Sequence, residues 1–161
     1  MFNYGIKNYL GIIFFISLIS LIFAYFIEYI LGHQPCNLCL IERIPYGLSV
    51  ILTTLILIYK KNEKFLILLL ILTFSFSFTI SVYHYGIEQG FFQESAVCGV
   101  KNFTENLTKE NLLNLLNEKT VSCKDVTFKI FGFSLTSINI VINILLIITL
   151  IQIYNQYEKN K

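Results

Sequence analysis

The chain has 161 residues, 55% of them hydrophobic and only 14% charged, and its mean hydropathy is positive. A soluble globular domain averages about 25% charged residues, so this composition excludes a chain that folds in water. The net charge is only +2, and nucleic acid is not an expected partner.

In chain order, the first apolar run is Leu10 to Ile27, which continues to Gly32 with Glu28 as its only ionisable residue. A signal peptide would have an apolar core of about 7–15 residues, a basic N-terminal region and a small-x-small cleavage site. This run is longer, only Lys7 precedes it, and no such site follows. It reads as a true span. Ile44 to Tyr59 is the second uncharged run. A helix needs roughly 20 apolar residues to cross the hydrocarbon, with a range of about 17–25. The second run falls just short, so it either begins before Pro45, within "CLIERI", or crosses a thin or deformed bilayer. Phe65 to Tyr83 and Ile130 to Tyr157 are the third and fourth uncharged runs.

The expected fold is therefore all-α: an integral membrane four-helix bundle in a single domain, residues 1–161. Its spans are expected at about 10–32, 43–59, 65–85 and 131–154, with outer loops at 33–42 and 86–130. An even number of spans puts both termini and the Lys60 to Lys64 turn on one side and the two loops on the other. Lysines and arginines divide evenly between the sides, but "KKNEK" packs its lysines into a short turn between spans, where the positive-inside bias is strongest. Termini inside and cysteines outside is the expected orientation. Cys36, Cys39, Cys98 and Cys123 then all face an oxidising compartment.

Within the long loop, "TKENLLNLLNEKT" (Thr108 to Thr120) gathers Leu112, Leu113, Leu115 and Leu116 on one helical face. This pattern suggests a short surface helix, lying on the bilayer or covering the end of the bundle. The sequons "NFT" and "NLT" at Asn102 and Asn106 matter only in a eukaryotic secretory pathway.

The chemistry concentrates in "HQPCNLCLIERIPYG", His33 to Gly47. A Cys-x-x-Cys pair serves as a metal half-site, a structural clamp or a redox dithiol. Zinc wants a second closely spaced ligand pair, yet Cys98 and Cys123 lie far apart in the chain and neither has a His beside it. Metal is disfavoured. A disulfide across two intervening residues closes a tiny loop and removes little unfolded-state entropy, whereas a longer loop gains about 3 kcal/mol or more. Cys98 with Cys123 is thus a credible staple, and Cys36 with Cys39 is not. A helix beginning near Ile44 and Pro45 would direct its positive end toward Cys39, and Arg43 adds a fixed charge; both favour the nucleophilic thiolate. Arg43 also has a bland reading, as a residue that snorkels to the interface and orients the span.

The segment "PCNLCLIERIPYG" resembles the Cys-x-Leu-Cys-x-x-(Gln/Glu)-Arg-x-Pro-Tyr signature of the DsbB family of membrane thiol oxidases. "YHYGIEQGFFQESAVCG" (Tyr83 to Gly99) and "VSCKDVTFKIFGFSLTSIN" (Val121 to Asn139) are similar to two further blocks of that family, in the family's order. Family members often carry tryptophans in these blocks and Val-Pro-Cys before the fourth span. This chain has no tryptophan and reads "VSC".

The resemblance implies a four-helix bundle that oxidises a soluble periplasmic thioredoxin-like partner of the DsbA type and passes two electrons to a membrane quinone, ubiquinone or menaquinone. It implies an outer pair, Cys98 and Cys123, that meets the partner, with Cys98 the site of the mixed disulfide. It implies an inner pair, Cys36 and Cys39, with Cys39 nearest the quinone. Arg43 would bind a quinone oxygen, where a low-dielectric site strengthens its effect on developing negative charge. His84 is the other candidate for the quinone site, against its reading as a helix-packing hydrogen bonder. Glu28 and Glu88 lie near span ends and read as structural. An ordinary secreted-protein disulfide is too reducing to oxidise such a partner, so the disulfides are of high potential or the quinone pulls the exchange forward. The implied location is the bacterial inner membrane, with both termini cytoplasmic.

Three rivals remain. One is a non-catalytic tetraspan with structural disulfides. Another is a quinone-linked reductase of the vitamin K epoxide reductase type, a family that places its loop cysteines before the Cys-x-x-Cys, the reverse of the order here. The third is a metal transporter or sensor.

Overall fold

The computed structural model describes residues 4–59, 62–94, 98, 122–124, 128–130 and 132–159. Four long helices carry it: α1 (Tyr4–Tyr29), α2 (Asn37–Ile58), α3 (Glu63–Glu88) and α4 (Leu135–Lys159). A short antiparallel pair, β1 (Lys129–Ile130) and β2 (Phe133–Ser134), leads into α4, with Lys129 opposite Ser134 and Gly132 at φ 88° in the turn. Each helix is long and apolar enough to cross a membrane. In hydrocarbon a helix satisfies its backbone groups internally, which is why these runs form helices. The chain is an all-α multi-pass membrane bundle, as its composition leads one to expect.

Consecutive helices pack on one another, α1 on α2, α2 on α3 and α3 on α4, whereas α1 and α4 meet only sparsely. The ring is thus left with a seam between its first and last helices. Toward the termini the interior is apolar: Leu10 and Ile13 of α1, Ile56 of α2, Leu70 and Phe74 of α3 and Leu150 of α4 form one buried cluster. Large apolar side chains such as Phe15, Ile19, Ile51, Phe76 and Leu145 point outward, suited to contact with lipid rather than water. Ser and Thr hydroxyls on the helices return hydrogen bonds to carbonyls one turn back, as Thr53 does to Ser49 and Ser81 to Ser77. These small polar residues thereby satisfy themselves in an apolar setting.

The second helix departs from expectation. It begins at Asn37, not 43, so the first outer loop is shorter than 33–42 and Cys39 lies in the first helical turn. Of the two readings of the short second run, the early start holds. The reason is packing: Leu38, Glu42, Tyr46, Ser49, Leu52, Thr53 and Ile56 are all buried at spacings of three and four, a continuous inward stripe that already starts at Leu38. Pro45, expected in a first turn, sits inside the helix. Membrane helices tolerate this because neighbouring groups re-satisfy the freed carbonyl.

The other ends differ by smaller amounts. α1 stops at Tyr29, before 32, and α4 starts at Leu135, after 131, because Lys129–Ile130 and Phe133–Ser134 pair as strands. α3 runs three residues past 85 and closes with a Gly cap: Gly90, at φ 78°, donates to the Ile87 carbonyl at 3.0 Å and Phe91 to the Gly86 carbonyl at 2.8 Å. Glycine adopts this left-handed conformation without steric penalty. The cap folds Phe92 back so that its ring stacks on Tyr83 at 5.7 Å. Gly86 makes room for that ring, since a Cβ there would stand 2.2 Å from Phe92 Cδ2. The suggested surface helix at Thr108 to Thr120 and the two sequons lie outside the described residues.

Candidate functional site

At the end of the bundle opposite the apolar core, the sequence-predicted residues gather from α2, α3 and the outer segments. Cys98 and Cys123 are joined in a disulfide with a Cα–Cα distance of 5.4 Å. Cys36 and Cys39 are free thiols whose sulfurs stand 2.8 Å apart. Cys36, Cys98 and Cys123 belong to one buried cluster with Leu38 and Ile87, so the two cysteine pairs share a single packed region. Glu94 holds the outer segments together, its Oε1 accepting from the Ser122 hydroxyl and from the Lys124 N–H at 3.0 Å. The His33 ring packs on Phe128, with centroids 5.3 Å apart.

Cys36 is the N-cap of α2, and its sulfur accepts the Cys39 N–H at 3.3 Å. A helix N-terminus favours negative charge at this position. It is therefore Cys36, not Cys39, that the positive end of the helix faces, because α2 starts about two turns earlier than "IERIP" suggested. The Cys36 thiol is pulled down from its usual value of 9.0 to about 4, chiefly by the Cys39 sulfhydryl beside it; burial opposes the shift and His84 assists it. A low-pKa thiol of this kind is nucleophilic at neutral pH.

His84 lies on α3 and is 2% exposed, with Nε2 3.5 Å from Cys36 Sγ. Its Nδ1 meets Glu42 Oε1 at 3.0 Å. Glu42 has both oxygens engaged, because Oε2 accepts from Asn139 Nδ2 of α4 at 2.7 Å. Asn139 also donates to the Ser81 hydroxyl at 2.9 Å and accepts from the Tyr46 hydroxyl. Thr136 donates to Glu88 Oε1 at 2.6 Å. Three helices are thus tied by a polar network at membrane depth, where such groups are expensive and mark function by default.

Arg43 does not join the dithiol. Its guanidinium pairs with Glu28 of α1 and lies 5.0 Å over the Tyr25 ring. Glu28 and Glu88, read as structural near span ends, serve as partners inside the bundle, to Arg43 and to Thr136. Arg43 nonetheless borders a cavity of about 220 Å³ that lies along the α1–α4 seam. Its walls include Leu21, Ala24 and Ile27 of α1 and Leu135, Ile138 and Ile142 of α4; its polar end holds Cys36, Cys39, Glu42, His84 and Glu88, and Cys123 touches it.

Sequence reasoning placed the four cysteines, Arg43 and His84 here and passed over Glu42, Tyr46, Thr136 and Asn139. Glu42 had a signal in reach: it follows Cys39 by three residues, so a helix starting before Cys39 puts both on one face. Cys36, Cys39 and His84 also offer three ligand atoms within 4.8 Å of one another. The spacing of cysteines in the chain gives no hint of this, since His84 arrives from α3.

The family model of disulfide bond formation protein DsbB matches residues 7–153. A protein of Rickettsia prowazekii (strain Madrid E), described as uncharacterized, is 32% identical over 148 residues, covering 91% of this chain and 86% of that protein. No solved structure matches. With the paired cysteines at one end of a four-span bundle and a family model spanning nearly all of it, the chain belongs to the DsbB family of disulfide bond formation proteins.

Proposed function

We propose that the protein is a membrane dithiol:quinone oxidoreductase that re-oxidises a periplasmic thiol oxidase of the DsbA type. The observation that carries this reading is the close Cys36–Cys39 pair at the polar end of an apolar cavity, in the same buried cluster as the Cys98–Cys123 disulfide. The partner's dithiol attacks Cys98–Cys123, breaking that bond and leaving the partner oxidised and two loop thiols. Those thiols reduce a Cys36–Cys39 disulfide and regain their own. A quinone held at the polar end of the cavity, beside Arg43 and His84, would supply the acceptor for the two electrons and two protons of the resulting inner dithiol. Support for such a ligand is that the cavity is largely apolar with a few convergent polar groups and lies along the α1–α4 seam.

The chain's residues supply the rest. Cys36, the low-pKa thiol at the helix start, is the better leaving and attacking sulfur. His84, oriented by Glu42, stands where it can exchange a proton with Cys36. Arg43 supplies a positive charge at the cavity wall. Both termini lie in the cytoplasm and the cysteines face the periplasm, across the bacterial inner membrane.

The test is a comparison of two double variants in thiol-trapping gels, with and without quinone. Cys98→Ser, Cys123→Ser should keep an inner dithiol that quinone oxidises while barely oxidising the partner. Cys36→Ser, Cys39→Ser should perform at most one exchange from its outer disulfide and then stop. Sustained quinone-dependent turnover by the second variant sinks the mechanism.

A further inference from the structure

We propose that the reduced dithiol is also a binding site for a divalent d10 cation, Zn²⁺, with Cys36, Cys39 and His84 as its protein ligands. The site goes beyond the electron relay and does not depend on which oxidant the relay uses.

The ligand set is the one zinc prefers. Thiolate and imidazole donors select Zn²⁺, usually in tetrahedral sites, with bonds of about 2.3 Å to sulfur and about 2.0–2.1 Å to nitrogen. The three donor atoms lie within 4.8 Å of one another, with the sulfurs 2.8 Å apart and His84 Nε2 3.5 Å from Cys36. Two sulfurs on a tetrahedral zinc are about 3.8 Å apart. Small side-chain rotations that spread the pair by about 1 Å therefore admit the ion. Cys36 caps α2 and Cys39 sits in its first turn, the Cys-x-x-Cys geometry of a zinc half-site.

Two further observations come from outside the dithiol. Metal-bound histidines commonly give their other ring nitrogen to a carboxylate, which fixes the ring and raises its basicity. Here Glu42 holds Nδ1 at 3.0 Å and leaves Nε2 facing the sulfurs. Glu88 is the second: its side chain is 6% exposed, its Oε1 is 3.9 Å from His84 Nε2, and its Oε2 is buried with no hydrogen-bond partner among the described residues. An unpartnered buried carboxylate oxygen costs free energy, and nothing in the electron relay uses it. The Glu88 carboxylate charge beside His84 favours a cation held by the three donors.

Binding requires both thiols. Zn²⁺ displaces whatever protons the two sulfurs carry, which pass to solvent, and no electrons move. A Cys36–Cys39 disulfide has no thiolate to offer, so metal and oxidation exclude each other. The bound ion would hold the inner pair reduced and out of the relay until it is removed.

The test uses the full chain in detergent, reduced and handled without oxygen, with Co²⁺ as the spectroscopic probe and Zn²⁺ as competitor. One Co²⁺ per chain should bind with thiolate charge-transfer absorption and tetrahedral visible bands, and Zn²⁺ should displace it. The Cys98→Ser, Cys123→Ser variant should bind equally well, which assigns the site to the inner pair. Oxidation to the Cys36–Cys39 disulfide should abolish binding. Glu42→Gln, close to isosteric, should weaken Zn²⁺ affinity about 10–100-fold through loss of histidine orientation. The proposal is overturned by the absence of thiolate charge transfer, by binding that survives Cys36→Ser with Cys39→Ser, or by unchanged affinity in both Glu42→Gln and His84→Ala.

Discussion

Glu42 of α2 holds His84 of α3 through a 3.0 Å contact between Oε1 and Nδ1, and this contact aims the far ring nitrogen at Cys36. Because the carboxylate also accepts from Asn139 of α4, one side chain positions groups from two other helices. Removing it takes a partner from His84 Nδ1 and from one N–H of Asn139 inside the bundle.

Glu42→Ala should therefore destabilise the bundle by about 1–3 kcal/mol for each group left unsatisfied. A double-mutant cycle with His84→Ala should show a coupling energy of about 0.5–3 kcal/mol. Denaturant unfolding in detergent measures both. Additive effects of the two substitutions would mean that the 3.0 Å contact contributes nothing.

Asn139 bridges Glu42, Tyr46 and Ser81, so Asn139→Ala should also cost about 1–3 kcal/mol, while Tyr46→Phe, which removes a single hydroxyl, should cost about 0.5–1.5 kcal/mol. The same unfolding measurement ranks them. The reverse order would place the anchor of α4 elsewhere.

Arg43 lines the cavity while paired with Glu28. If it binds a quinone oxygen, losing a charged hydrogen bond of about 1.5–3 kcal/mol should lower quinone kcat/KM about 10–150-fold in Arg43→Ala. Exchange between the partner and already oxidised protein should be much less affected. Arg43→Lys should recover only part of the loss, since it lacks the planar fork. Unchanged quinone kinetics in a folded variant would leave Arg43 as a clamp between α1 and α2.

The proposed orientation, cysteines outside and termini inside, predicts that a membrane-impermeant maleimide labels reduced cysteines in intact spheroplasts. Labelling that appears only after lysis would invert the topology.

The sequence by itself determined the four spans, the placing of Cys36, Cys98 and Cys123 beyond span ends, and the family. Each of these rests on local chemistry: uncharged runs have no stable alternative to helix in hydrocarbon, and the Cys-x-x-Cys block is contiguous in the chain. The start of α2 was legible only in part, since charge-free length points to 43 whereas the inward stripe reaches back to Leu38. What only the tertiary structure decided is which polar side chains meet. Arg43 reads as a partner of the dithiol yet pairs with Glu28. Glu42 reads as an ordinary charge yet binds His84 and Asn139, and His84 reaches Cys36 from another helix. Such pairings join residues from separate helices, and they are set by how those helices rotate and pack: a polar group buried in lipid must find its partner across the bundle, and chain spacing carries no record of which one.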